Sequence, residues 1–259
     1  MSYDEADRIM LDEFLEIEVL SGVSIRIPKT HENIYTQFEK FSIDHIKKYL
    51  RQGDICVDVG ANFGYYTALL SSLVSARGKV FAFEPAPATY SILESNTKNF
   101  KNTEIVPLAV SDKSGLINFY HTNDFINSGT VPNPPFQSPD EIENIVVDAT
   151  SLDEYLQAQR CVDFIKVDVQ GDDIKALLGA EKIIKRSPDI KVLVEWAPHW
   201  MENAGYHLTE LPEILQSLGF KKLVALDDWR ARKISVESFM AELAETDNIR
   251  RFCNIFAQK

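Results

Sequence analysis

Apolar and polar residues alternate over residues 15–28, in the stretch LEIEVLSGVSIRIP, and the alternation is interrupted at Ser21-Gly22. Alternation on both sides of a turn dipeptide predicts a β-hairpin with one buried face. Apolar residues then recur at roughly helical spacing between residues 38 and 50 and stop before Gly53, which predicts a helix. We therefore expect residues 1–52 to form a hairpin and helix cap, followed by a main domain of residues 53–259.

Strand-like and helix-like patterns alternate from residue 54 onward. The predicted strands are 54–59, 79–84, 104–109, 162–168, 190–196, 221–226 and the closing CNIFAQ, and the predicted helices are 64–76, 87–98, 151–157, 172–185 and 209–218. Several strands, such as VFAF and VLVEW, are apolar nearly throughout, as in a parallel sheet whose two faces are covered by helices. The pattern predicts a doubly wound α/β fold with a mostly parallel, seven-stranded sheet.

An irregular stretch, residues 122–144, interrupts this alternation and contains four of the eleven prolines. Long irregular segments inside a compact domain are usually functional loops or linkers. Two interpretations stay open at this point. The stretch is either a lid or acceptor-side loop, or a plain surface excursion.

The sequence ICVDVGANFG, residues 55–64, predicts a strand that ends in a turn into a helix. Open α/β sheets bind ligands at such strand ends, where the next helix directs backbone N–H groups. Gly60 and Gly64 suit close backbone approach or an unusual φ angle. The turn lacks the GxxxxGK[ST] pattern of triphosphate-binding loops, and Asn62 stands at the second glycine of the dinucleotide fingerprint. Both of those ligand classes are therefore disfavoured.

Glu84 ends the next predicted strand, in VFAFEP. An acid at this place can accept hydrogen bonds from the two hydroxyls of a ribose without any phosphate nearby. Asp58, at the first corner, can face a cationic amino acid group. A nucleoside that carries a positively charged amino acid tail, S-adenosylmethionine, matches this description.

Five segments occur in this order: VDVGANFGYYTALLS, GKVFAFEPAPATYSILESN, VPLAVSDKSGLINFY, TSLDEYL and VDFIKVDVQGDDIKALLGAEKII. Together they resemble the FkbM family of S-adenosylmethionine-dependent methyltransferases, over roughly residues 33–196. The resemblance implies a class I methyltransferase (Rossmann-like) sheet. It also implies O-methylation of hydroxyl groups on sugars or natural products.

The resemblance also implies a set of cofactor-binding residues. They are Glu39, Asp58, Gly60, Asn62, Gly64, Glu84, Ala109 and Ser111. In this set Glu84 takes the ribose, Ala109 and Ser111 line the adenine, and Glu39 approaches the methionine end. The chain departs from the family at DVQGDD, where members commonly read DVEGAE, so that Gln170 replaces a glutamate.

Methyl transfer to a hydroxyl needs alignment of the acceptor and a group that takes its proton. Asp168 ends a predicted strand on the ligand side of the sheet and is the first candidate, although it could instead cap the next helix. His199 follows the next strand and is the best placed histidine. Glu195 could orient His199 or bind an acceptor hydroxyl. These three residues form the predicted catalytic set.

Two further groups of residues lie near predicted strand ends. Trp196, Trp200 and Trp229 could stack on an acceptor, although core packing is the simpler interpretation for each. Asp227 and Asp228 resemble a metal pair. Without a third ligand at a fixed spacing, the sequence predicts no metal site and leaves a divalent metal open.

The composition of the chain limits the classes of partner that we expect it to bind. The chain has 27 basic and 39 acidic residues, a formal net charge of −12, and no strong basic cluster, which argues against nucleic acid as a partner. The acidic start and the absence of a long apolar run predict no membrane insertion and a cytoplasmic location. Three widely spaced cysteines, Cys56, Cys161 and Cys253, suit buried thiols in a reducing compartment.

The leading hypothesis is therefore an S-adenosylmethionine-dependent O-methyltransferase with a small-molecule or glycan hydroxyl acceptor. One alternative is a nucleic-acid methyltransferase. Another is a cofactor-binding module without catalysis in a biosynthetic assembly, which Gln170 supports. The sequence leaves the identity of the acceptor and the oligomeric state open.

Overall fold

The computed structural model describes residues 14–35, 39–122, 128–131, 142–245 and 252–259. Its strands are β1 (Phe14–Leu20), β2 (Val23–Pro28), β3 (Ile55–Val59), β4 (Lys79–Phe83), β5 (Thr103–Val106), β6 (Ala109–Val110), β7 (Gly115–Thr122), β8 (Ile142–Thr150), β9 (Phe164–Val167), β10 (Lys191–Trp196), β11 (Lys222–Asp227), β12 (Arg232–Ile234) and β13 (Cys253–Gln258). Its α-helices are α1 (Glu32–Tyr35), α2 (Lys40–Ile46), α3 (Tyr65–Val74), α4 (Pro87–Thr97), α5 (Leu152–Tyr155), α6 (Asp173–Leu178), α7 (Glu181–Arg186), α8 (Pro198–Asn203), α9 (Glu210–Ser217) and α10 (Val236–Glu245). Single 3-10 turns occupy Lys29–His31, Ser75–Arg77 and Asp228–Arg230.

The main sheet has eight strands in the order β12-β11-β13-β10-β9-β3-β4-β5. The pairs from β10 to β5 are parallel, whereas β13 runs antiparallel to both β10 and β11. The predicted α/β fold with a mostly parallel sheet is confirmed. Each of the seven predicted strands takes part in this sheet, and the short β12 adds an eighth at its edge.

The predicted strand 104–109 was wrong at its C-terminal end. The ladder with β4 stops at Val106, and Ala109 and Val110 instead pair with β8 in a second sheet of order β6-β8-β7. Pro107 lies between the two pieces and has no N–H to donate, which explains why one ladder ends there. The strand-like stretches on either side of the irregular segment 122–144 form the antiparallel pair β7 and β8.

The predicted helix 172–185 was also wrong, because it is divided into α6 and α7. The division falls at Gly179, whose backbone lies so close to Ser111 that a Cβ atom would stand 2.0 Å from the Ser111 carbonyl oxygen. The predicted helices 64–76, 87–98, 151–157 and 209–218 are present with ends that differ by at most two residues, and the helix predicted between residues 38 and 50 is the shorter α2. Among the described residues, no helix has both the length and the apolar character to cross a bilayer.

Two apolar clusters cover the two faces of the main sheet. One packs inward-facing strand residues such as Val57 and Val194 against the later helices, and includes the fully buried Trp196. The other packs β1, β2, α2 and α3 against residues such as Phe164 and Phe256. The hairpin and α2 therefore share one core with the sheet. The division of the chain at residues 52 and 53 stays a proposal, and residues 1–13 and 36–38 of the predicted cap lie outside the described residues.

The turn after β3 crosses the end of β9 at very short range. At Gly60, φ is +76° and an added Cβ atom would lie 1.9 Å from the backbone carbonyl oxygen of Asp168. Gly22, in the hairpin turn, has the same φ of +76° with nothing within 4 Å of its Cβ position. Alanine substitutions at the two positions therefore share the energetic cost of the left-handed conformation. Only the substitution at Gly60 adds the cost of a clash with the backbone of Asp168.

We predict that Gly60→Ala destabilises the protein by at least about 3 kcal/mol, because both costs apply and the obstructing atom belongs to the backbone. Gly22→Ala carries the conformational cost and should lose about 1 kcal/mol. Urea unfolding followed by circular dichroism gives both values. Equal losses in the two variants would contradict the close approach.

Candidate active site

A polar residue occupies the penultimate position of three neighbouring parallel strands. Asp58 stands there in β3, Lys166 in β9 and Glu195 in β10. Side chains alternate between the faces of a strand, and the apolar neighbours of these residues pack on the other face. All three polar residues therefore point to the face covered by the cap and α3. They lie at the carboxyl end of the sheet, where open α/β sheets bind ligands.

Lys166 lies among the acids of this edge. Its Nζ donates to the Gly60 carbonyl oxygen at 3.2 Å and to Asp168 Oδ2 at 3.1 Å, and lies 4.0 Å from Asp58 Oδ1. Its ammonium also lies 5.2 Å from the centre of the Tyr66 ring. Burial opposes the charge, but the carboxylates of Asp168, Asp58 and Glu39 raise the pKa of Lys166 above its ordinary value. The surrounding carboxylates therefore favour the charged form of the buried Lys166.

Asp58 has no exposed surface. Its Oδ2 accepts a hydrogen bond from Thr67 Oγ1 at 2.6 Å, and its Oδ1 accepts none from the described residues. Burial raises the pKa of Asp58, while the charge of Lys166 opposes that rise. The cation that Asp58 faces here is Lys166, so the sequence-based prediction of a direct contact with a cationic amino acid group stays a prediction.

Glu39 reaches the same place from the cap. It precedes α2 in a left-handed conformation, with φ of 38°, and its carboxylate accepts a hydrogen bond from the Tyr66 hydroxyl. Burial, with added repulsion from Asp168, raises the pKa of Glu39 to about 7. Burial also raises the pKa of the Tyr35 hydroxyl, again with repulsion from Asp168 and Glu39. The cap thus brings an acid and a neutral phenol to the sheet edge.

Gln170 joins the two predicted catalytic acids. Its Nε2 donates to Asp168 Oδ1 at 2.8 Å and to Glu195 Oε2 at 3.1 Å. Burial, followed by repulsion from Asp168 and Asp173, raises the pKa of Glu195 well above its ordinary value. The residue that departs from the family pattern is therefore the neutral donor that holds two carboxylates together.

Asp168 does not cap the following helix, which was the alternative interpretation. Asp172 precedes α6 without a side-chain cap hydrogen bond. The two carboxylate oxygens of Asp173 accept from the backbone N–H groups of Val169 and Gly171, each at 3.0 Å, and so hold the turn between β9 and α6. The carboxylate of Asp168 bonds Lys166 and Gln170, and 19% of its side chain is exposed. Asp168 can therefore meet a molecule bound at the edge.

The loop from Gly60 to Gly64 is closed by Glu84. Glu84 Oε2 accepts from the Asn62 N–H and Oε1 from the Ala86 N–H, both at 3.0 Å. Asn62 is left-handed, with φ of 49°, and its own Oδ1 accepts from the Phe63 N–H at 2.7 Å. Burial raises the pKa of Glu84 to about 7, although the two N–H groups stabilise its charge. Four of the predicted cofactor residues, Gly60, Asn62, Gly64 and Glu84, therefore belong to one connected loop.

Asn96 of α4 connects this loop to the hairpin, and sequence reasoning missed it. Its Nδ2 donates to the carbonyl oxygens of Phe63 at 2.8 Å and Arg26 at 2.9 Å, and its Oδ1 accepts from the Arg26 N–H at 2.9 Å. An asparagine among polar helix residues gives no sequence signal for this role. Lys166, also missed, does give one, since a lysine in the apolar run FIKV is unusual.

Three further predicted site residues, Ala109, Ser111 and His199, are buried. Ala109 is buried in β6, and Ser111 follows it, with its N–H bonded to the Thr150 carbonyl oxygen at 2.9 Å. His199 lies buried in α8, 3.2 Å from its Nε2 to the side-chain nitrogen of Asn203, and burial lowers its pKa. One of the two expectations for Glu195 was that it orients His199, but the residue that donates to Glu195 Oε2 is Gln170.

The other candidates are the tryptophans and aspartates near the predicted strand ends. Trp196 is fully buried and donates to the Leu208 carbonyl oxygen, whereas Trp229 is 73% exposed. Asp227 pairs with Arg232, and Asp228 accepts from the backbone and hydroxyl of Ser42. Within the described ranges, no group of three or more His, Cys, Asp or Glu is arranged to hold a metal ion.

Part of the irregular stretch 122–144 packs on the site. Gly129 lies against Gln170, since a Cβ atom there would be 3.0 Å from the Gln170 Cβ, and Thr130 donates to Asp172. Residues 123–127 and 132–141 lie outside the described residues. The short described segment thus covers the acid-bearing turn after β9, and the role of the whole stretch stays a prediction.

The doubly wound sheet with a polar carboxyl edge defines a Rossmann-like protein, a class in which ligands bind at that edge. A family model described as the methyltransferase FkbM domain matches residues 58–222. This match covers more than half of the chain. The chain belongs to the FkbM methyltransferase family, as the sequence resemblance indicated.

Two curated relatives carry methyltransferase names. The chain is 28% identical over 132 residues to hexuronic acid methyltransferase AglP of Haloferax volcanii, covering 49% of this chain and 50% of that protein. It is 27% identical over 161 residues to 31-O-demethyl-FK506 methyltransferase FkbM of Streptomyces tacrolimicus, covering 51% and 61%. The chain therefore spans about half to three-fifths of the length of these relatives.

Among solved structures, a SAM-dependent methyltransferase from Aquifex aeolicus is similar at 16% identity, with a TM-score of 0.49, over 86% of this chain and 93% of that one. Fibrillarin of Aeropyrum pernix is similar at 12% identity, with a TM-score of 0.46, over 84% and 74%.

The raised pKa of Glu39 predicts a pH-dependent stability. Between about pH 4.5 and pH 7 the unfolded chain ionises Glu39 while the folded chain keeps its proton, so the free energy of unfolding falls as the pH rises through this window. Glu39→Gln removes this loss and can still accept from Tyr66. We expect the variant to gain on the order of 2–3 kcal/mol over the wild type at pH 8, and little at pH 4.

Urea unfolding of both proteins at pH 4 and pH 8 measures this difference. Glu181→Gln, at an exposed position of α7, is the control and should give no gain at pH 8. A Glu39→Gln gain that is the same at both pH values would show that Glu39 is not held protonated by its surroundings.

Proposed function

We propose that this protein is an S-adenosylmethionine-dependent O-methyltransferase that acts on a hydroxyl group of a sugar or natural product. Family membership supports methyl transfer, and the names of the two curated relatives support a sugar acid or a natural product as the kind of acceptor. The observation that carries the proposal is the juxtaposition of two sites on neighbouring strand ends. One is the loop closed by Glu84, and the other is the acid pair Asp168 and Glu195.

The residues present fit the proposed cofactor. Each oxygen of Glu84 accepts one backbone N–H, and a second lone pair on each is left for a ribose hydroxyl. The strand order β9-β3-β4-β5 separates the ends of β4 and β9 by about 10 Å, since strands are spaced by about 4.8 Å. A nucleoside over β4 and β5 would then place its amino acid tail over β3 and β9.

In this arrangement each predicted residue has a role. Glu84 binds the ribose, Ala109 and Ser111 border the adenine, and the loop of Gly60, Asn62 and Gly64 lies beneath the nucleoside. Glu39 faces the methionine end, and the buried Asp58 acts through Lys166. Bound S-adenosylmethionine supplies an electrophilic methyl group on a positively charged sulfur.

The protein contributes positioning and a proton acceptor. Asp168 accepts the proton of the acceptor hydroxyl, because its carboxylate is partly exposed and keeps a free lone pair beside each of its two hydrogen bonds. Lys166 and Gln170 hold that carboxylate in one orientation. Glu195, on the other side of Gln170, binds the acceptor.

His199 is the second candidate for the proton acceptor. Burial lowers its pKa, so its imidazole is neutral near pH 7 and able to take a proton. Asp168 is preferred because hydrogen bonds connect it to Lys166, Gln170 and, through Gln170, Glu195.

The proposed partner is a small-molecule or glycan acceptor, and the proposed location is the cytoplasm. A nucleic acid acceptor is disfavoured by the net charge of −12 and by the acids at the site. The alternative of a module without catalysis rested on Gln170. That residue now has a role in the site that does not require loss of activity.

Glu84→Ala should weaken the binding of S-adenosylmethionine about 10- to 100-fold, because hydrogen bonds to a charged acceptor contribute roughly 1.5–3 kcal/mol. Isothermal titration calorimetry of the whole chain measures the dissociation constant. Glu94→Ala, an exposed acid on α4, is the matched control. An unchanged affinity in a Glu84→Ala protein with a normal melting temperature would refute the ribose assignment.

Asp168→Asn should lower methyl transfer at least about 100-fold while cofactor affinity changes only a few-fold, since a proton acceptor contributes about 10²–10⁴ to the rate. Transfer is measured with labelled S-adenosylmethionine and an extract of cells that lack this protein, in which unmethylated acceptor accumulates. His199→Ala should retain transfer. The reverse pattern, an active Asp168→Asn and an inactive His199→Ala, would move the role to His199.

A further inference from the structure

Residues 128–131, the described part of the irregular stretch between β7 and β8, pack against the turn of residues 169–172 after β9. A Cβ atom at Gly129 would lie 3.0 Å from the Gln170 Cβ, 3.1 Å from the Val169 carbonyl oxygen and 3.3 Å from the Gln170 carbonyl oxygen. These distances are shorter than ordinary van der Waals contact, so a single methyl group at this position requires the turn to move. The lack of a side chain at Gly129 therefore allows the close contact.

Thr130 and Val131 contact the next two residues of the turn. The Thr130 hydroxyl donates a hydrogen bond to the carboxylate of Asp172. Val131 is buried, and its Cγ2 lies 3.5 Å from the position that a Cβ atom would take on Gly171. Segment 128–131 therefore lies along the whole turn.

Strand β7 holds this segment in place. Tyr120 and Gly129 exchange two backbone hydrogen bonds, of 2.7 and 3.1 Å, as an antiparallel bridge. The N–H of Thr122 donates to Ser128 Oγ at 3.0 Å. Because β7 is an edge strand of the small sheet β6-β8-β7, that sheet determines where the segment meets the turn.

The backbone of the turn has a conformation that needs support. Gln170 is left-handed, with φ of 57°, and Gly171 follows it with φ of 112°. A residue with a Cβ atom is strained in the left-handed region and stays there when its surroundings fix it. Asp173 fixes the turn from within, through the N–H groups of Val169 and Gly171. Segment 128–131 adds the contacts to Gln170 itself.

The position of Gln170 decides whether its side chain can join two carboxylates. Its Nε2 donates to Asp168 Oδ1 at 2.8 Å and to Glu195 Oε2 at 3.1 Å. The two acceptors come from neighbouring strands, so only a narrow range of amide positions satisfies both hydrogen bonds. A shift of the Gln170 backbone would therefore lengthen at least one of them.

Resting on the proposed function, in which Asp168 takes the proton of the acceptor hydroxyl, we infer that segment 128–131 is a positioning element of the acceptor site. It fixes Gln170 and thereby the orientation of the Asp168 carboxylate relative to Glu195. The segment acts through the turn, and the inference assigns it no contact with the reacting atoms. Strand β7 thereby connects the small sheet to the reaction.

A ¹⁵N–¹H spectrum of the whole labelled chain tests the position of Gln170 without any acceptor. Its side-chain amide signals are the pair that is missing from the spectrum of Gln170→Gly. We expect Gly129→Ala and Thr130→Val to shift this pair, and Thr130→Ser, which keeps the hydroxyl, to restore it. Val146→Thr, at an exposed position of β8, is the control and should leave the pair in place. An unshifted pair in both Gly129→Ala and Thr130→Val would overturn the inference, whatever the rate of transfer.

Methyl transfer measures the consequence for the reaction, with labelled S-adenosylmethionine and the extract described above. Gly129→Ala should lower the rate about tenfold or more, because small displacements of reacting groups can cost about 100-fold. Thr130→Val should also be slower, and Thr130→Ser should recover the wild-type rate. The dissociation constant of S-adenosylmethionine, from calorimetry, should stay within about twofold of the wild type in all three, since the cofactor loop is not altered.

Wild-type rates in Gly129→Ala and Thr130→Val would overturn the inference and leave the proposed function intact. Equal losses of transfer and of cofactor binding would also overturn it, because they indicate general damage to the fold. A wild-type chain that transfers no label would overturn the proposed function, and the inference with it.

The double variant Gly129→Ala/Gln170→Gly tests whether the segment acts through Gln170. Glycine adopts the left-handed conformation without strain, so Gln170→Gly removes the bridge while preserving the turn. If the segment acts through Gln170, Gly129→Ala should cause no further loss of transfer once that side chain is absent. Losses that multiply would show that the segment affects the reaction by another route, contrary to the inference.

Discussion

The interaction of the Lys166 ammonium with the carboxylates around it is the constraint on which the rest of the site depends. It allows Asp58 to be fully buried and holds Asp168 in one orientation, while its bond to the Gly60 carbonyl oxygen ties the loop after β3 to β9. Removal of one partner from such a buried group leaves an uncompensated charge, at a cost of about 3–5 kcal/mol. The acids at this edge can lie close together because this cation lies among them.

The N-terminal cap contributes a residue to the cluster of charged groups around Lys166. Glu39 enters the site because a left-handed residue turns the chain just before α2, and Tyr66 of α3 meets it there. Asn96 then connects the hairpin backbone to the loop after β3. One hydrophobic cluster covers the hairpin, α2, α3 and one face of the sheet, so the position of the acid from the cap is set by the core.

Sequence reasoning selected the loop after β3, Glu84, Asp168 and Glu195 as candidate site residues because each lies at the end of a strongly patterned strand, and their roles stay proposals. It missed Gln170 as a bridge between acids, although it noticed the unusual residue. It assigned Gly60 either to close backbone approach to a ligand or to an unusual φ angle, and the structure shows a φ of +76° together with a close approach to the backbone of Asp168. A side-chain amide can donate a hydrogen bond to any nearby carboxylate. Which carboxylates lie near Gln170 depends on how the ends of β9 and β10 are placed relative to each other.

The order of the elements and the residues at the carboxyl ends of the strands were determined by the sequence, because apolar runs and two-residue alternation are local properties. The split of helix 172–185 and the departure of Ala109 from the main sheet were decided by contacts with Ser111 and β8. The partner of each acid was likewise decided by tertiary structure. Charges and hydrogen bonds act over a few ångströms in space, and the groups that meet here come from positions far apart in the chain.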